Sequence, residues 1–236
     1  EAGPWKKRWE VTFDGLARIQ PDVVCFQELF NQEWAEEVKK RTGFPHLLFP
    51  KEPGGLVICS KYKPIAWGGS KLTKSPLEEY GRFVLWAEFE TEKEPLFLFN
   101  THLSWKPEDA ATRKKQVHEI LHLVKQKAGQ NEVLLCGDLN ASPHSAEIKW
   151  LINEGGFLDA FAETNPAEAG YSWDNRNPFA AMMHEPNRRI DYILVGLADA
   201  LRNGRGWIES ARLGLHEPVD GVFPSDHFGL VADIRV

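Results

Sequence analysis

Short apolar runs recur along this chain, and one after another they close on a carboxylate, an amide or an imidazole. Val23-Val24-Cys25-Phe26 leads into Gln27-Glu28. The run from Leu96 to Phe99 leads into Asn100-Thr101-His102, and Val133 to Cys136 leads into Gly137-Asp138-Leu139-Asn140. Ser225-Asp226-His227 stands just before Leu230 to Val236, and Asp191 lies inside Arg189-Ile190-Asp191-Tyr192-Ile193-Leu194. Apolar runs of this length, bounded by polar residues and breakers, are the pattern of buried strands.

Helical patterns fall between these runs. Trp9, Phe13 and Leu16 form a stripe that ends before Pro21. Asn31 can cap a helix carrying Trp34 and Val38 and closed by Gly43. Pro107 opens a long helix with Val117, Ile120, Leu121 and Val124 on one face, ended by Gly129. Ser145 can cap a helix with Ile148, Leu151 and Ile152, stopped at Gly155-Gly156. Leu56 to Cys59 and Phe83 to Glu90 complete the expected strands, and 165–187, rich in breakers, reads as a long surface loop. No linker, repeat or composition shift divides the 236 residues, so the expectation is one domain over 1–236.

Charges set against a core are costly unless paired or bound to metal. One such residue is an ordinary cap or ion pair. Several, at the ends of separate strands, are explained most economically by one shared cleft. Carboxylate and amide oxygens without cysteine suit a hard cation, Mg²⁺ or Mn²⁺. Two histidines add groups that titrate near neutral pH. This is equipment for hydrolysing a phosphoester.

Composition narrows the partners. The net charge of −6 and the shortness of Lys6-Lys7-Arg8 and Arg113-Lys114-Lys115 disfavour a surface for long nucleic acid. No apolar run can span a bilayer, so stable membrane insertion is not expected. Cys25, Cys59 and Cys136 have neither disulfide nor zinc spacing and read as reduced thiols, a lean toward a cytoplasmic, reducing compartment. No signal-peptide pattern is present. With Glu1 in place of Met, the N-terminus reads as trimmed, cleaved or left out.

Five segments, in order and spanning nearly the whole chain, make it resemble the endonuclease/exonuclease/phosphatase superfamily, the group related to DNase I. They are Pro21 to Glu28, Asn100 to Leu103, Gly137 to Asn140, Arg189 to Ile193 and Ser225 to His227. The resemblance implies an α/β (α+β) four-layer sandwich, two mostly antiparallel sheets face to face with outer helices. It implies a monomeric Mg²⁺-dependent phosphodiesterase or phosphatase, with in-line attack of water on phosphorus. It implies roles too. Glu28 and Asp226 are the metal carboxylates; Asp138 orients and activates water, with Asn140 beside it on the phosphate. His227 contacts the phosphate, Asp191 fixes the His227 ring, and His102 contacts the phosphate or assists the leaving group. Arg82 falls where members often place a substrate contact. Members begin with a strand ending in a metal-site Asn, whereas the first element expected here is the helix from Trp5 to Ile19.

Trp105-Lys106-Pro107 and the loop residues Trp173, Asn175 and Arg176 are further candidates to read a base, sugar or headgroup. The substrate is expected to be a phosphate ester: nucleic acid, a nucleotide, or, as the alternative, a phospholipid or inositol phosphate. A binding module without catalysis is the reading from another class, and Asp138, Asn140, Asp191 and His227 together argue against it. His118-Glu119-Ile120-Leu121-His122 matches the zinc-peptidase pattern H-E-x-x-H. On a helical wheel its polar residues lie opposite the apolar face of their helix, toward solvent. Arg113 and Gln116 are expected to anchor that helix to a neighbouring loop.

Overall fold

A computed structural model describes residues 5–51, 54–196 and 207–236. The largest sheet has strand order β4-β5-β6-β7-β9-β8. Its strands are β4 (Pro64–Lys71), β5 (Phe83–Phe89), β6 (Leu96–His102), β7 (Glu132–Asp138), β8 (Phe157–Asp159) and β9 (Asp191–Gly196). All neighbours are antiparallel except β6 and β7, which are joined by the crossover helix α3 (Ala110–Ala128). The second layer comes in two pieces. One has the order β1-β3-β2, from β1 (Val23–Phe26), β2 (His46–Leu48) and β3 (Val57–Ser60). The other pairs β10 (Trp207–Gly214) with β11 (Gly229–Arg235).

Period-two alternation assigns each strand's faces. Val133 and Leu135 of β7 pack with Val117, Ile120 and Leu123 of α3 and with Ile148 and Leu151 of α4 (Ala146–Asn153). Val117 and Ile120 are completely buried, each worth about 1.5–3 kcal/mol over an exposed position. The opposite face of β7, Leu134 and Cys136, looks toward Val23 and Cys25 of β1 and Ile58 of β3. Val24, Phe26, Val57 and Cys59 point the other way, onto Trp9 and Phe13 of α1 (Trp5–Ile19) and Ala35 and Val38 of α2 (Gln32–Thr42). Helix, sheet, sheet and helix are thus the four expected layers.

The caps read from the sequence hold. Asn31 accepts from the Glu33 and Trp34 amides, Gly43 closes α2 in the left-handed conformation, and Ser145 caps α4. Four strands had no sequence signal. β2 and β8 are three residues each, too short for a period. β4 opens on a proline, contains Gly68 and Gly69, and turns Ile65 and Trp67 to the exposed side, inverting the usual pattern for an edge strand. β10 carries a register shift between Ile208 and Ser210.

The stretch 165–187 corrects an expectation. It is not a plain surface loop: Ser172, Trp173, Asp174 and Asn177 are buried, and Trp173 and Ala180 pack with Ile190. Its polar breakers fold it inward. Asn177 caps the short helix α6 (Pro178–Ala181), and the Asp174 side chain accepts from the Arg176 amide. The remaining helix, α5 (Ala160–Thr164), caps on Asp159 and lies against β10.

Candidate active site

Strand register lines up the first half of the site. The parallel β6–β7 pair puts His102 opposite Asp138, and the antiparallel β7–β9 pair puts Asp138 opposite Asp191. Three chemistry-bearing side chains therefore share one level across three adjacent strands. Gly137 makes this possible. Its φ is 144°, and a Cβ there would lie 1.9 Å from the Thr101 carbonyl oxygen. Only glycine allows the strands to meet so closely before the two functional residues. Past the row, the Leu103 amide donates to the Asp138 carbonyl and the Leu139 amide to that of Ile190.

His227 reaches the row from the loop before β11. Its Nδ1–H donates to Asp191 Oδ2 at 2.8 Å, which leaves Nε2 facing Asp138 Oδ2 at 3.9 Å. His102 Nε2 lies 3.5 Å from the same Asp138 oxygen. Asp138 Oδ1 accepts the Asn140 amide at 2.8 Å, and Asn140 itself has φ 48°. The Asn140 side-chain amide donates to the Leu103 carbonyl.

The electrostatics divide the histidines. Burial disfavours the His227 imidazolium, but the Asp191 carboxylate and its hydrogen bond, with Asp138 and Asp226, outweigh this and push its pKa up to about 10. Burial drives His102 well below the ordinary range, helped by the charges of Arg82 and His227. Burial raises Asp138 to about 7, and Asp191 adds to the rise. At neutral pH the cleft holds one charged and one neutral imidazole, with a carboxylate poised between its two states.

The second half of the site is built differently. Glu28 follows β1 with φ 60°, an uncommon conformation for a residue with a Cβ. It is exposed in the cleft, and its charge acts on Asp138. Asp226 precedes β11 and is held loosely, by Arg8 Nη2 at 3.4 Å and the Ser225 hydroxyl at 3.2 Å. Among the described residues, the one group of three or more potential ligands within 4.8 Å is Asp138, Asp191 and His227; Glu28 and Asp226 stand outside it. In that group Asp191 already accepts from His227, whereas Glu28 and Asp226 line the cleft outside it as further carboxylates of the kind that could take a hard cation.

Several supporting residues were not among the sequence candidates. Asn100, fully buried, donates to the Phe26 and Val57 carbonyls and accepts from Gln27, tying β6 to the strand that carries Glu28. The Ser172 hydroxyl accepts the Ile190 and Asp191 amides, and its carbonyl accepts the Phe228 amide. Asn177 donates to the Ser225 carbonyl. Glu78, its side chain 4% exposed, accepts from Arg82 Nε and from the Trp105 amide. An asparagine inside an apolar strand was the one available clue, at Asn100.

Of the other sequence candidates, Trp105 lines the cleft, is 42% exposed and lies under the Lys106 ammonium at 4.2 Å. Trp173 lines it too, but is buried edge-on against the His227 ring at 5.0 Å, a wall and not an open stacking face. Arg82 is tied to Glu78 and reaches His102 through its charge. Asn175 and Arg176 do not line the cleft. Asn175 donates to the Glu185 carbonyl, and Arg176 pairs with Asp174. His118, Glu119 and His122 are exposed; Glu119 accepts from Thr73 and His118 packs on Trp150. Arg113 donates to Glu147 and to the Ser104, Lys106 and Pro107 carbonyls, and Gln116 holds Ser104 and Thr73. Both anchor the loop that follows His102.

A family model described as Endonuclease/Exonuclease/phosphatase family matches residues 13–227. Protein angel of Drosophila melanogaster is 22% identical over 98% of this chain and 72% of its own length. Nocturnin of the same fly is 25% identical over 100% of this chain but 43% of its own length. Mouse tyrosyl-DNA phosphodiesterase 2 is 24% identical over 94% of this chain and 59% of its own. The chain thus spans about half the length of the latter two. The crystal structure of a Danio rerio tyrosyl-DNA phosphodiesterase 2, humanized by 14 mutations, superposes with a TM-score of 0.78 at 22% identity, covering 98% of this chain and 93% of that one.

Proposed function

We propose a Mg²⁺-dependent phosphodiesterase acting on small or single-stranded substrates for this chain, which belongs to the Endonuclease/Exonuclease/phosphatase family and is a divalent-metal-dependent hydrolase of phosphate esters. The observation that carries the reading is the row His102, Asp138 and Asp191, closed by His227 on the Asp191 carboxylate.

Each residue's part follows from its protonation. Asp138, near 7, accepts the proton of the attacking water. The Asn140 amide on its other oxygen fixes which lone pair faces that water. His227, held cationic by Asp191, presents Nε2–H to the phosphate oxygen on which charge grows. His102, neutral, donates or accepts one hydrogen bond beside the leaving oxygen. Glu28 and Asp226 would hold the Mg²⁺, with Mn²⁺ as a substitute, since a hard cation takes carboxylate oxygens. Bound there, the cation would supply the positive charge that neutralises phosphate oxygens.

The similarity to the mouse tyrosyl-DNA phosphodiesterase supports the diester class. The net charge of −6 favours short or single-stranded substrates over long duplexes. The test is Mg²⁺-dependent hydrolysis of bis-p-nitrophenyl phosphate by the wild type beside Asp138→Ala and His227→Ala. Each variant is expected to lose on the order of 10²–10⁴-fold in rate. Wild-type rates in both would overturn the reading. A panel of RNA, DNA, sphingomyelin and inositol phosphates then ranks substrate classes.

A further inference from the structure

The connection from β6 to α3 is held more tightly than a link between two elements requires. Residues 103–106 belong to no strand or helix. Surface loop backbone can bond to water and needs no protein partner. Here side chains take it instead. Gln116 accepts from the Ser104 amide, and Arg113 donates to the Ser104, Lys106 and Pro107 carbonyls. Between them, the Trp105 amide donates to Glu78 Oε1 at 2.6 Å.

Glu78 lies in the connection between β4 and β5, and both its oxygens are engaged. Oε2 accepts from Arg82 Nε at 2.8 Å, and Oε1 accepts the Trp105 amide. Its side chain is 4% exposed. A carboxylate taken out of water is costly unless its oxygens are bonded. In return, a bond from an amide to a carboxylate is shorter and about twice as strong as one to a neutral acceptor. The segment that carries Glu78 is itself pinned. Gln116 and Glu119 of α3 hold Thr73, the Leu72 amide donates to the Arg82 carbonyl, and the Ser75 hydroxyl accepts the Leu77 amide. Glu78 therefore ties one helix-anchored segment to another.

What this scaffold presents is the Trp105 ring. The backbone around it is fixed, yet the side chain is 42% exposed and lines the cleft just beyond His102. The Lys106 ammonium lies over the ring at 4.2 Å, and a cation there adds to the ring's attraction for a flat ligand. An aromatic face held in place before the ligand arrives loses little freedom on binding. A nucleobase has a π-face to lay against it, whereas an inositol ring and an acyl chain have none.

We infer that Glu78 is a positioning residue that fixes the Trp105 ring as a stacking face, so that the site selects phosphate esters carrying a planar aromatic group such as a nucleobase. The phosphate end of that ligand rests on the phosphodiesterase reading; the aromatic end rests on Trp105 and Glu78.

The test is equilibrium binding of adenosine monophosphate, and of ribose phosphate, which lacks the base, to the full chain with Mg²⁺. Every protein carries Asp138→Ala so that neither ligand is turned over. The chain with Asp138→Ala alone is expected to bind the nucleotide about 5–100-fold more tightly than the sugar phosphate, the range for one base stacked on an aromatic ring. Glu78→Gln keeps the shape, but its single acceptor oxygen cannot serve both Arg82 and Trp105. It should lose most of that margin, with ribose phosphate bound as before and amide exchange at Trp105 faster. Trp105→Ala should lose the same margin, and adding Glu78→Gln to it should remove nothing more. Equal binding of the two ligands before either change, or a margin kept in Trp105→Ala or in Glu78→Gln, would overturn the proposal. So would an equal loss of both ligands in Glu78→Gln, the mark of a merely structural carboxylate. Binding is read here without turnover, so unchanged hydrolysis in Asp138→Ala would sink the assigned activity and leave the stacking margin standing.

Discussion

The two halves of the candidate site are held in unlike ways. His102, Asp138, Asp191 and His227 sit on or against one continuous sheet, buried, hydrogen-bonded and fixed in register. Glu28 and Asp226 follow and precede two strands of the other layer, β1 and β11, and neither is firmly bonded. The first half is preorganised for charge and proton transfer. The second is open, as the proposed cation site would require. Interactions set by the fold should be lost when a residue changes, whereas those set by the ion should be recoverable by adding ion.

The largest effect expected from breaking the first half is at Asp191. Asp191→Asn keeps the shape but removes the carboxylate that holds the His227 imidazolium. Hydrolysis should fall by about 10²–10⁴-fold, the range for a misarranged acid–base group. The pH profile should change with it. In the wild type, kcat/KM is expected to rise as Asp138 ionises near 7 and to fall as His227 loses its proton near 10. Without Asp191, the largest influence raising His227 is gone, so the alkaline limb moves to lower pH. Asp191 also helps raise Asp138, so the acid limb moves down as well. A fixed alkaline limb would show that His227 does not set it.

Gly137→Ala attacks the same half through the backbone. The added Cβ meets the Thr101 carbonyl at 1.9 Å in a conformation that alanine rarely adopts. The expected loss is about 2–4 kcal/mol of stability, a fall of roughly 4–16 °C in melting temperature for a domain of this size. The remaining folded fraction should also hydrolyse slowly, because the His102–Asp138 register is spoiled. A stable variant with normal activity would mean that the strands need not meet this closely.

Glu28→Gln tests the open half. Half-saturating Mg²⁺ should rise about 10–100-fold, with most of kcat restored at high Mg²⁺. If saturating ion recovers nothing, Glu28 belongs to the fixed half and the contrast fails.

These contrasts mark what was legible in the sequence. The row could be read because strand ends bring chemistry to one edge, and both Gly137-Asp138-Leu139-Asn140 and Ser225-Asp226-His227 carry their chemistry in adjacent residues. The caps Asn31, Gly43 and Ser145 were legible for the same local reason. What the sequence hid is non-local. Ser172 and Asn177 look like loop residues until 165–187 folds over β9 and the His227 loop. Glu78 shows no role until Arg82 and Trp105 converge on it. Glu28 and Asn140 adopt positive φ that their residue types do not announce. Arg176 was a reasonable substrate candidate by type, but its partner is two residues away at Asp174.

The smallest effects separate the two tryptophans of the cleft. Trp105 is exposed, so Trp105→Ala should act on binding alone, raising KM by a factor of about 5–100 if a base stacks there and leaving kcat unchanged. Trp173 is buried against the His227 ring, so Trp173→Phe, which keeps the aromatic wall, should lower kcat a few-fold with little change in KM. Arg176→Ala serves as the floor of the series. Its side chain is 70% exposed, pairs with the buried Asp174 and lies outside the cleft, so the variant should cost stability by leaving that carboxylate unpaired while neither constant changes beyond about twofold. If Arg176→Ala instead matched Trp105→Ala in KM, the substrate would extend over 165–187, and the binding surface would be larger than the cleft between the strand ends.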